Sequence, residues 1–337
     1  MVHSKSVLVV GGAGYIGSHM VLALKRAGFE PVVLDNLIKG HAHAVMGTQL
    51  IVGDMSDTTL LNELLSTKQF LAVMHFASFI EVGESMRDPA KYYQNNVAGT
   101  LALLDAMRKN HIPHIIFSST AAVYGEPQYT TIDENHPINP INPYGRSKWM
   151  IEQIIRDYAA SYGLNYGILR YFNAAGADPE RKLGEEHEPE SHLIPLILQV
   201  ALGKKSHIHI YGRDYPTQDG TCIRDYIHVH DLCTAHLLAL QALLNEKKNF
   251  TFNLGTGHGY SVQEVISTAR FITHHPIPII DAERRSGDPA VLVADPTRAR
   301  ETLSWQPQYS DLEMIIRHAW AFLNRCPFAS EQKEITA

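Results

Sequence analysis

A chain of 337 residues, 45% hydrophobic and 19% charged, has the composition of an ordinary globular protein and is long enough to divide into two parts. Its net charge of −6 gives no attraction to nucleic acid or to an anionic membrane surface. Cys222, Cys233 and Cys326 are odd in number and form no CxxC, which fits a reduced compartment and not a disulfide framework. The 19 histidines are scattered without paired ligand spacing, so no metal site is expected. His207/His209 and His228/His230 alternate as residues on one sheet face do. Met1 to Ser6 lead straight into a short strand with no long apolar segment. Neither a signal peptide nor a membrane span is expected, and a cytoplasmic location is.

Taken in order, Val7–Val10 reads as a short buried strand, followed at once by Gly11-Gly12-Ala13-Gly14-Tyr15-Ile16-Gly17. A helical pattern (Ile16, Met20, Leu24) then runs to Gly28, placed as a C′ glycine. Strand, glycine turn and helix together let a backbone approach a pyrophosphate at a helix N-terminus. Both GxGxxG (Gly12, Gly14, Gly17) and GxxGxxG (Gly11, Gly14, Gly17) are satisfied. The second strand, Pro31–Leu34, ends in Asp35-Asn36, near the acidic position expected about 20 residues on. A carboxylate there accepts from ribose hydroxyls and repels a 2′-phosphate, so NAD is expected over NADP.

The alternation continues through Leu50–Val52 to Asp54 and Met55, with Asp54 placed to accept from an adenine amine. Ala72–Phe76 is a further strand, followed by the small residues Ala77 and Ser78. Asn95-Asn96-Val97 is read as opening a helix towards Asn110. The strand Ile115–Phe117 ends in Ser118-Ser119-Thr120, hydroxyls at the edge where doubly wound sheets bind ligands. Gly125 to Pro143, with four prolines, reads as a surface loop. Strands alternating with helices predict an α/β, Rossmann-type doubly wound parallel sheet.

Pro143 favours a helix start near Tyr144, which places Tyr144 and Lys148 at i, i+4 on one face. A phenol near pKa 10 is a poor base at neutrality, whereas an ammonium within about 4–6 Å favours the phenolate. Lowering it by roughly three units requires about 4 kcal/mol, so a second positive charge is expected nearby. After Asn173 the rhythm loosens: Ala177–Pro189 reads as a charged loop and His192–Leu202 as a helix despite Pro195. His228 to Asn253 reads as strand, helix and strand packing back on the first part.

The glycine turn, Asp35-Asn36, Gly83-Glu84-Ser85, Asn95-Asn96, Ser118-Ser119-Thr120 and Tyr144-x-x-x-Lys148 together resemble the extended short-chain dehydrogenase/reductases. Arg170–Asn173, Gly220–Val229, Asn253–Gly257 and Arg284–Asp288 extend the match to the UDP-sugar 4-epimerases among them, over nearly the whole chain. The resemblance implies an NAD-binding domain at 1–173 and a smaller α/β UDP-sugar domain at 174–337, with about 228–258 returning to the first. It implies interconversion of UDP-glucose and UDP-galactose through a 4-keto sugar, with NAD retained, in a homodimer built on helices near 95–110 and 144–162. Tyr144 would be the acid/base, Lys148 would hold the ribose and lower the phenol pKa, and Thr120 would bond the 4-oxygen. The cofactor would meet Gly11, Gly14, Tyr15, Ile16, Gly17, Asp35, Asn36, Asp54, Met55, Phe76, Ala77, Asn95, Ser118, Tyr144, Lys148 and Tyr171. The UDP-sugar would meet Thr120, Tyr144, Asn173, His192, Leu193, Tyr211, Arg224, Arg285, Asp288 and Leu292.

Three departures bear on the substrate. Ile80 replaces a polar contact near the sugar 6-hydroxyl, His192 stands where asparagine is usual, and Leu292 is intermediate in bulk at a position that gates N-acetylated sugars. UDP-xylose/UDP-arabinose and UDP-N-acetylhexosamine epimerisation therefore stay open, as does a non-catalytic NAD-binding role. A 4,6-dehydratase needs an acidic pair after Thr120, where this chain has Ala121-Ala122.

Overall fold

The structure, a computed structural model, describes residues 5–285 and 287–324; Ser286 and Cys326 lie outside the described residues. The cofactor half is built from β1 (Ser6–Val10), α1 (Tyr15–Arg26), β2 (Glu30–Asp35), β3 (Gln49–Val52), α2 (Thr58–Thr67) and β4 (Ala72–His75). It continues through α3 (Val82–Arg87), α4 (Pro89–Tyr92), α5 (Gly99–Lys109), β5 (His114–Thr120), α6 (Pro143–Tyr162) and β6 (Asn165–Tyr171). The remainder holds β7 (Asn173–Ala175), α7 (Leu193–Ala201), β8 (Ile208–Tyr211), β9 (Ile223–His228), α8 (Val229–Glu246) and β10 (Phe250–Leu254). It closes with β11 (Gly259–Ser261), α9 (Val262–Thr273), β12 (Ile279–Ala282), β13 (Val291–Leu292), α10 (Thr297–Leu303) and α11 (Leu312–Leu323).

Seven strands form one sheet in the order β10-β6-β5-β4-β1-β2-β3, every neighbouring pair parallel. This is an α/β, doubly wound sheet. Helices cover both faces, so β1, β4 and β5 are buried along their whole length and read as unbroken apolar runs. Val7 and Val9 face a core shared with Met20, Leu24, Leu232 and Leu240 of α1 and α8. Leu8 and Val10 face the other, with Leu61, Leu103, Met107, Ile151 and Ile155. The order reverses between β1 and β4, opening the crevice where such sheets bind ligands. Segment 228–258 contributes α8 and β10 to this sheet layer.

A second core joins Ile194, Ile197 and Leu198 of α7 to Ile208, Ile210, Val265, Ile266, Ile315 and Ile316. Beside it lie two small sheets, one built on β9 with β7, β11 and β13, the other pairing β8 with β12. Pro195 falls in the first turn of α7, where its missing N–H has no helical partner to lose.

Three expectations need correction. Asn95 does not open a helix: the helix begins at Pro89, where the Asp88 side chain accepts from Lys91 N, and passes through a π-helical turn at Tyr93–Ala98 into α5. His228 and His230 do not share a sheet face, because the strand ends at His228, whose Nδ1 accepts from His230 N to cap α8. The 125–143 segment is more than a surface loop. Ile132 is buried, and its backbone bonds Val293 O and Asp295 N at 2.8 Å each, tying the segment to the second core's side of the molecule.

Candidate active site

At the carboxyl end of β1 the glycine turn has no room for side chains. A Cβ at Gly11 would lie 2.4 Å from Ala77 N, and one at Gly17 would lie 2.0 Å from Gly11 O. Gly11 has φ +79°, a region L-residues rarely adopt. Gly14 is the N-cap of α1, contributes no side-chain cap, and the first turn contains no acid. The turn therefore leaves helix N–H groups for an external anion, and the residues present fit a dinucleotide pyrophosphate. Phe76 N and Ala77 N both donate to Val10 O, which holds the end of β4 against this turn. Tyr15 Oη donates to Gly176 O at 2.7 Å, pinning the turn to the segment after β7.

Asp35 ends β2, and its two oxygens accept from Ala13 N and Leu37 N, both at 2.9 Å. Each oxygen keeps a second lone pair for a ribose hydroxyl. Asn36 donates to Asp54 at 2.8 Å. Burial opposes the charge on Asp54, but hydrogen bonds from Ser56 and Asn36 hold its carboxyl below the usual range. Met55 is buried against Gly99. Asn95 donates to the neighbouring Asn96 Oδ1. Asn96, fully buried, accepts from Phe79 N and donates to Phe79 O and Ser147 Oγ. It thus fastens the loop after β4 to α6. Sequence reading placed Asn95 at the cofactor and gave Asn96 no role.

Tyr144, Lys148, Thr120, Ser118 and Tyr171 come together where β5, β6 and α6 meet. Asn142 caps α6 by accepting from Gly145 N at 2.8 Å, with Pro143 at the first helical position, so Tyr144 sits in the first turn as the sequence implied. Lys148 Nζ donates to Ser118 O at 2.9 Å and stands 4.9 Å from the Phe117 ring centroid. Ser118 Oγ is 3.2 Å from His236 Nε2.

The electrostatics differ from expectation. Burial pushes the Tyr144 phenol up to about 12, opposed by its hydrogen bond with Thr120. Burial also drives the Lys148 ammonium down to about 7, opposed by the charge of Glu152 one helical turn on. Desolvation is the largest influence on both groups, and it favours their neutral forms.

Beneath this cluster lies a network that sequence reading missed. Glu152 accepts from Ser119 Oγ at 2.6 Å and from Arg170 Nε and Nη2 at 2.9 and 2.6 Å. Arg170 also donates to Tyr124 Oη, which donates to Asn253 Oδ1. Glu152 stands four residues after Lys148, and that spacing was the available signal.

The remaining candidates lie on β7, β8, β9, β13, the start of α7 and the segment before β13. Arg224 on β9 pairs with Asp288 and donates to Ile223 O, and Leu292 lies opposite it in register on β13. Arg285 stacks on Tyr211, its guanidinium carbon 3.9 Å from the ring centroid. Asn173 donates to Asp225 O at 2.9 Å, joining the end of β6 to β9. Leu193 opens α7. His192 is its N-cap residue, but its imidazole turns to Glu185.

The profile of the NAD dependent epimerase/dehydratase family matches residues 7–255. A UDP-glucose 4-epimerase of Halalkalibacterium halodurans is 50% identical, over 98% of this chain and 99% of the relative. The crystal structure of UDP-glucose 4-epimerase from Brucella ovis in complex with NAD superposes with a TM-score of 0.92 at 49% identity, over 94% of this chain and 98% of that one. UDP-glucose 4-epimerase from Stenotrophomonas maltophila, with bound NAD and formylated UDP-arabinopyranose, gives 0.91 at 39% identity over 95% and 98%. By sequence and by fold, the chain belongs to the NAD dependent epimerase/dehydratase family.

Proposed function

We propose that this protein is a UDP-glucose 4-epimerase that keeps NAD bound and interconverts UDP-glucose and UDP-galactose. The observation behind this reading is the buried hydroxyl pair of Thr120 and Tyr144 at the carboxyl edge of the sheet, with Lys148 one helical turn from the phenol. The Tyr144 oxygen takes the proton from the sugar 4-hydroxyl, and Thr120 holds the 4-oxygen as its C–O bond becomes a carbonyl. NAD, held by the glycine turn and Asp35, would supply the acceptor and donor for the C4 hydride, and its oxidised ring would supply the positive charge that Tyr144 needs. The 4-keto sugar turns over, and Tyr144 returns the proton to the 4-oxygen at the opposite configuration. Lys148, anchored on Ser118 O, has further N–H groups for ribose oxygens.

Ala13–Gly17 and Asp35 hold the dinucleotide in this reading. Arg224, Arg285, Tyr211 and Asp288 hold the UDP part, where stacking and planar cation–phosphate contacts suit a nucleotide. The chain divides into 1–173 and 174–337, with 228–258 returning to the first sheet. Leu101 on α5 and Met150 and Tyr162 on α6 are exposed apolar side chains, 41%, 43% and 59% accessible, which supports a homodimer through these helices. Among the described residues no helix is long and apolar enough to cross a membrane. The unpaired thiols of Cys222 and Cys233 support a cytoplasmic setting.

A second reading, UDP-pentose epimerisation, is supported by Ile80, an exposed apolar side chain with no group to bond a 6-hydroxyl. Proton NMR of anomeric signals tests both. Purified protein mixed with UDP-galactose and no added NAD should yield UDP-glucose, with UDP-arabinose slower. Inert UDP-galactose beside rapid UDP-arabinose turnover would shift the assignment to pentoses, and inertness to both would refute the epimerase reading.

A further inference from the structure

Between β7 and α7 the chain reads Glu185-Glu186-His187-Glu188-Pro189-Glu190-Ser191-His192. Glu185, His187, Glu190 and His192 each present one donor atom, and these four atoms lie within 4.8 Å of one another. His187 Nδ1 is 3.1 Å from Glu185 Oε1 and 3.8 Å from Glu190 Oε1, and His192 Nδ1 meets the same Glu185 oxygen. Tetrahedral ligands on bonds of about 2.0–2.2 Å stand roughly 3.3–3.6 Å apart, so the His192–Glu185 contact would open and the wider separations close around a single ion.

Two details separate this group from an ordinary imidazole–carboxylate pair. The Glu185 and Glu190 side chains are only 5% and 3% exposed, and among the described residues no lysine or arginine forms an ion pair with either. His187 Nδ1 is itself buried and has no aligned hydrogen bond, although two carboxylate oxygens lie beside it.

We propose that Glu185, His187, Glu190 and His192 form a binding site for a zinc-type divalent ion. Two imidazoles and two carboxylates suit Zn2+ or Co2+, whereas Ca2+ and Mg2+ favour all-oxygen shells. Four protein ligands close the shell, the arrangement of a structural site, and the two carboxylates neutralise the ion. The same loop is already tied to the cofactor side. His41 donates to Glu186 O at 2.7 Å, Lys39 to Glu188 O at 3.2 Å, and the His187 ring stands edge-on to Tyr15. An ion here would lock the segment that joins the cofactor turn to the start of α7.

Chelator-treated full-length protein should be titrated with ZnCl2 against a chromophoric competitor, and separately with CoCl2. One equivalent of zinc per chain is expected, with the intense visible bands of tetrahedral cobalt. His187→Gln and Glu190→Gln should each weaken zinc binding by at least about 10–100-fold, the loss that outer-sphere changes alone produce. His207→Gln should leave it unchanged and so controls for the exposed His207/His209 pair, whose Nε2 atoms are 3.1 Å apart. Uptake well below one equivalent, weak octahedral cobalt bands, or uptake lost in His207→Gln and kept in His187→Gln would overturn the proposal. Should His187→Gln fail to fold, Glu190→Gln and the parent's cobalt spectrum still decide.

Discussion

The two halves of the site are held in different ways. On the cofactor side, Tyr144, Lys148 and Thr120 stand on regular elements, braced by the buried Ser119–Glu152–Arg170–Tyr124 network. On the side proposed to hold the nucleotide, Arg285 lies on exposed chain over Tyr211, Arg284 pairs with exposed Asp214, and Arg224 pairs with Asp288. The first half is buried and fixed by regular elements; the second pairs its cations with partners on more exposed chain. A rigid acid/base centre serves transition-state geometry, while adjustable cations serve binding. Changes in the first half should therefore act on kcat and on folding, and changes in the second on KM.

The largest effect expected is from Tyr144→Phe. Removing the acid/base should lower kcat about 10²–10⁴-fold while NAD stays bound, read from turnover and from the cofactor released on denaturation. Parental turnover in that variant would place the acid/base elsewhere. Glu152→Gln comes next. It leaves the Arg170 guanidinium buried without its counter-charge, which should cost about 3–5 kcal/mol in denaturant unfolding. A loss below about 1 kcal/mol, the worth of an exposed pair, would make this network ordinary surface chemistry.

Acid should erode the buried half in a defined direction. Burial holds His75 at about 3 and His19 and His236 at about 4, against an ordinary value of about 6.5. The unfolded chain binds protons that the folded one refuses. Stability from these groups is thus full above about pH 6.5 and is lost as pH falls towards 4, by about 1.4 kcal/mol per pH unit for each histidine. Denaturation midpoints at pH 7, 6 and 5 should drop progressively; a flat series would mean these rings are not held neutral. The smallest effect is on the nucleotide side. Arg285→Ala loses a partly exposed cation–π contact worth about 0.5–1 kcal/mol, so KM for UDP-galactose should rise a few-fold with kcat kept. A fall in kcat with KM unchanged would break the division between the halves.

What was legible in the sequence follows the same division. The glycine turn, Asp35 and the Tyr144–Lys148 spacing are local patterns in which the backbone period alone sets the geometry. The π-turn at Tyr93–Ala98 was not legible, because Asn96 is held by Phe79 and Ser147, contacts made only after the chain has folded. Glu152 was within reach of the i+4 rule, but its partners Ser119 and Arg170 come from β5 and β6. The position of Tyr144 in the first turn of α6 was legible from Pro143 and the spacing, whereas the burial that raises its phenol was not, because spacing reports a neighbouring ammonium and not desolvation. The Glu185–His192 group escaped because histidines were compared with one another, while the ligands alternate imidazole and carboxylate.

In the proposed reaction the sugar C4–H leaves and returns within one site while only the O4 proton passes through Tyr144. UDP-galactose deuterated at C4 tests it most directly, mixed with purified protein in ordinary water and no added NAD. The UDP-glucose formed should retain the deuterium at C4. Loss of the label to solvent, or the absence of UDP-glucose, would contradict it.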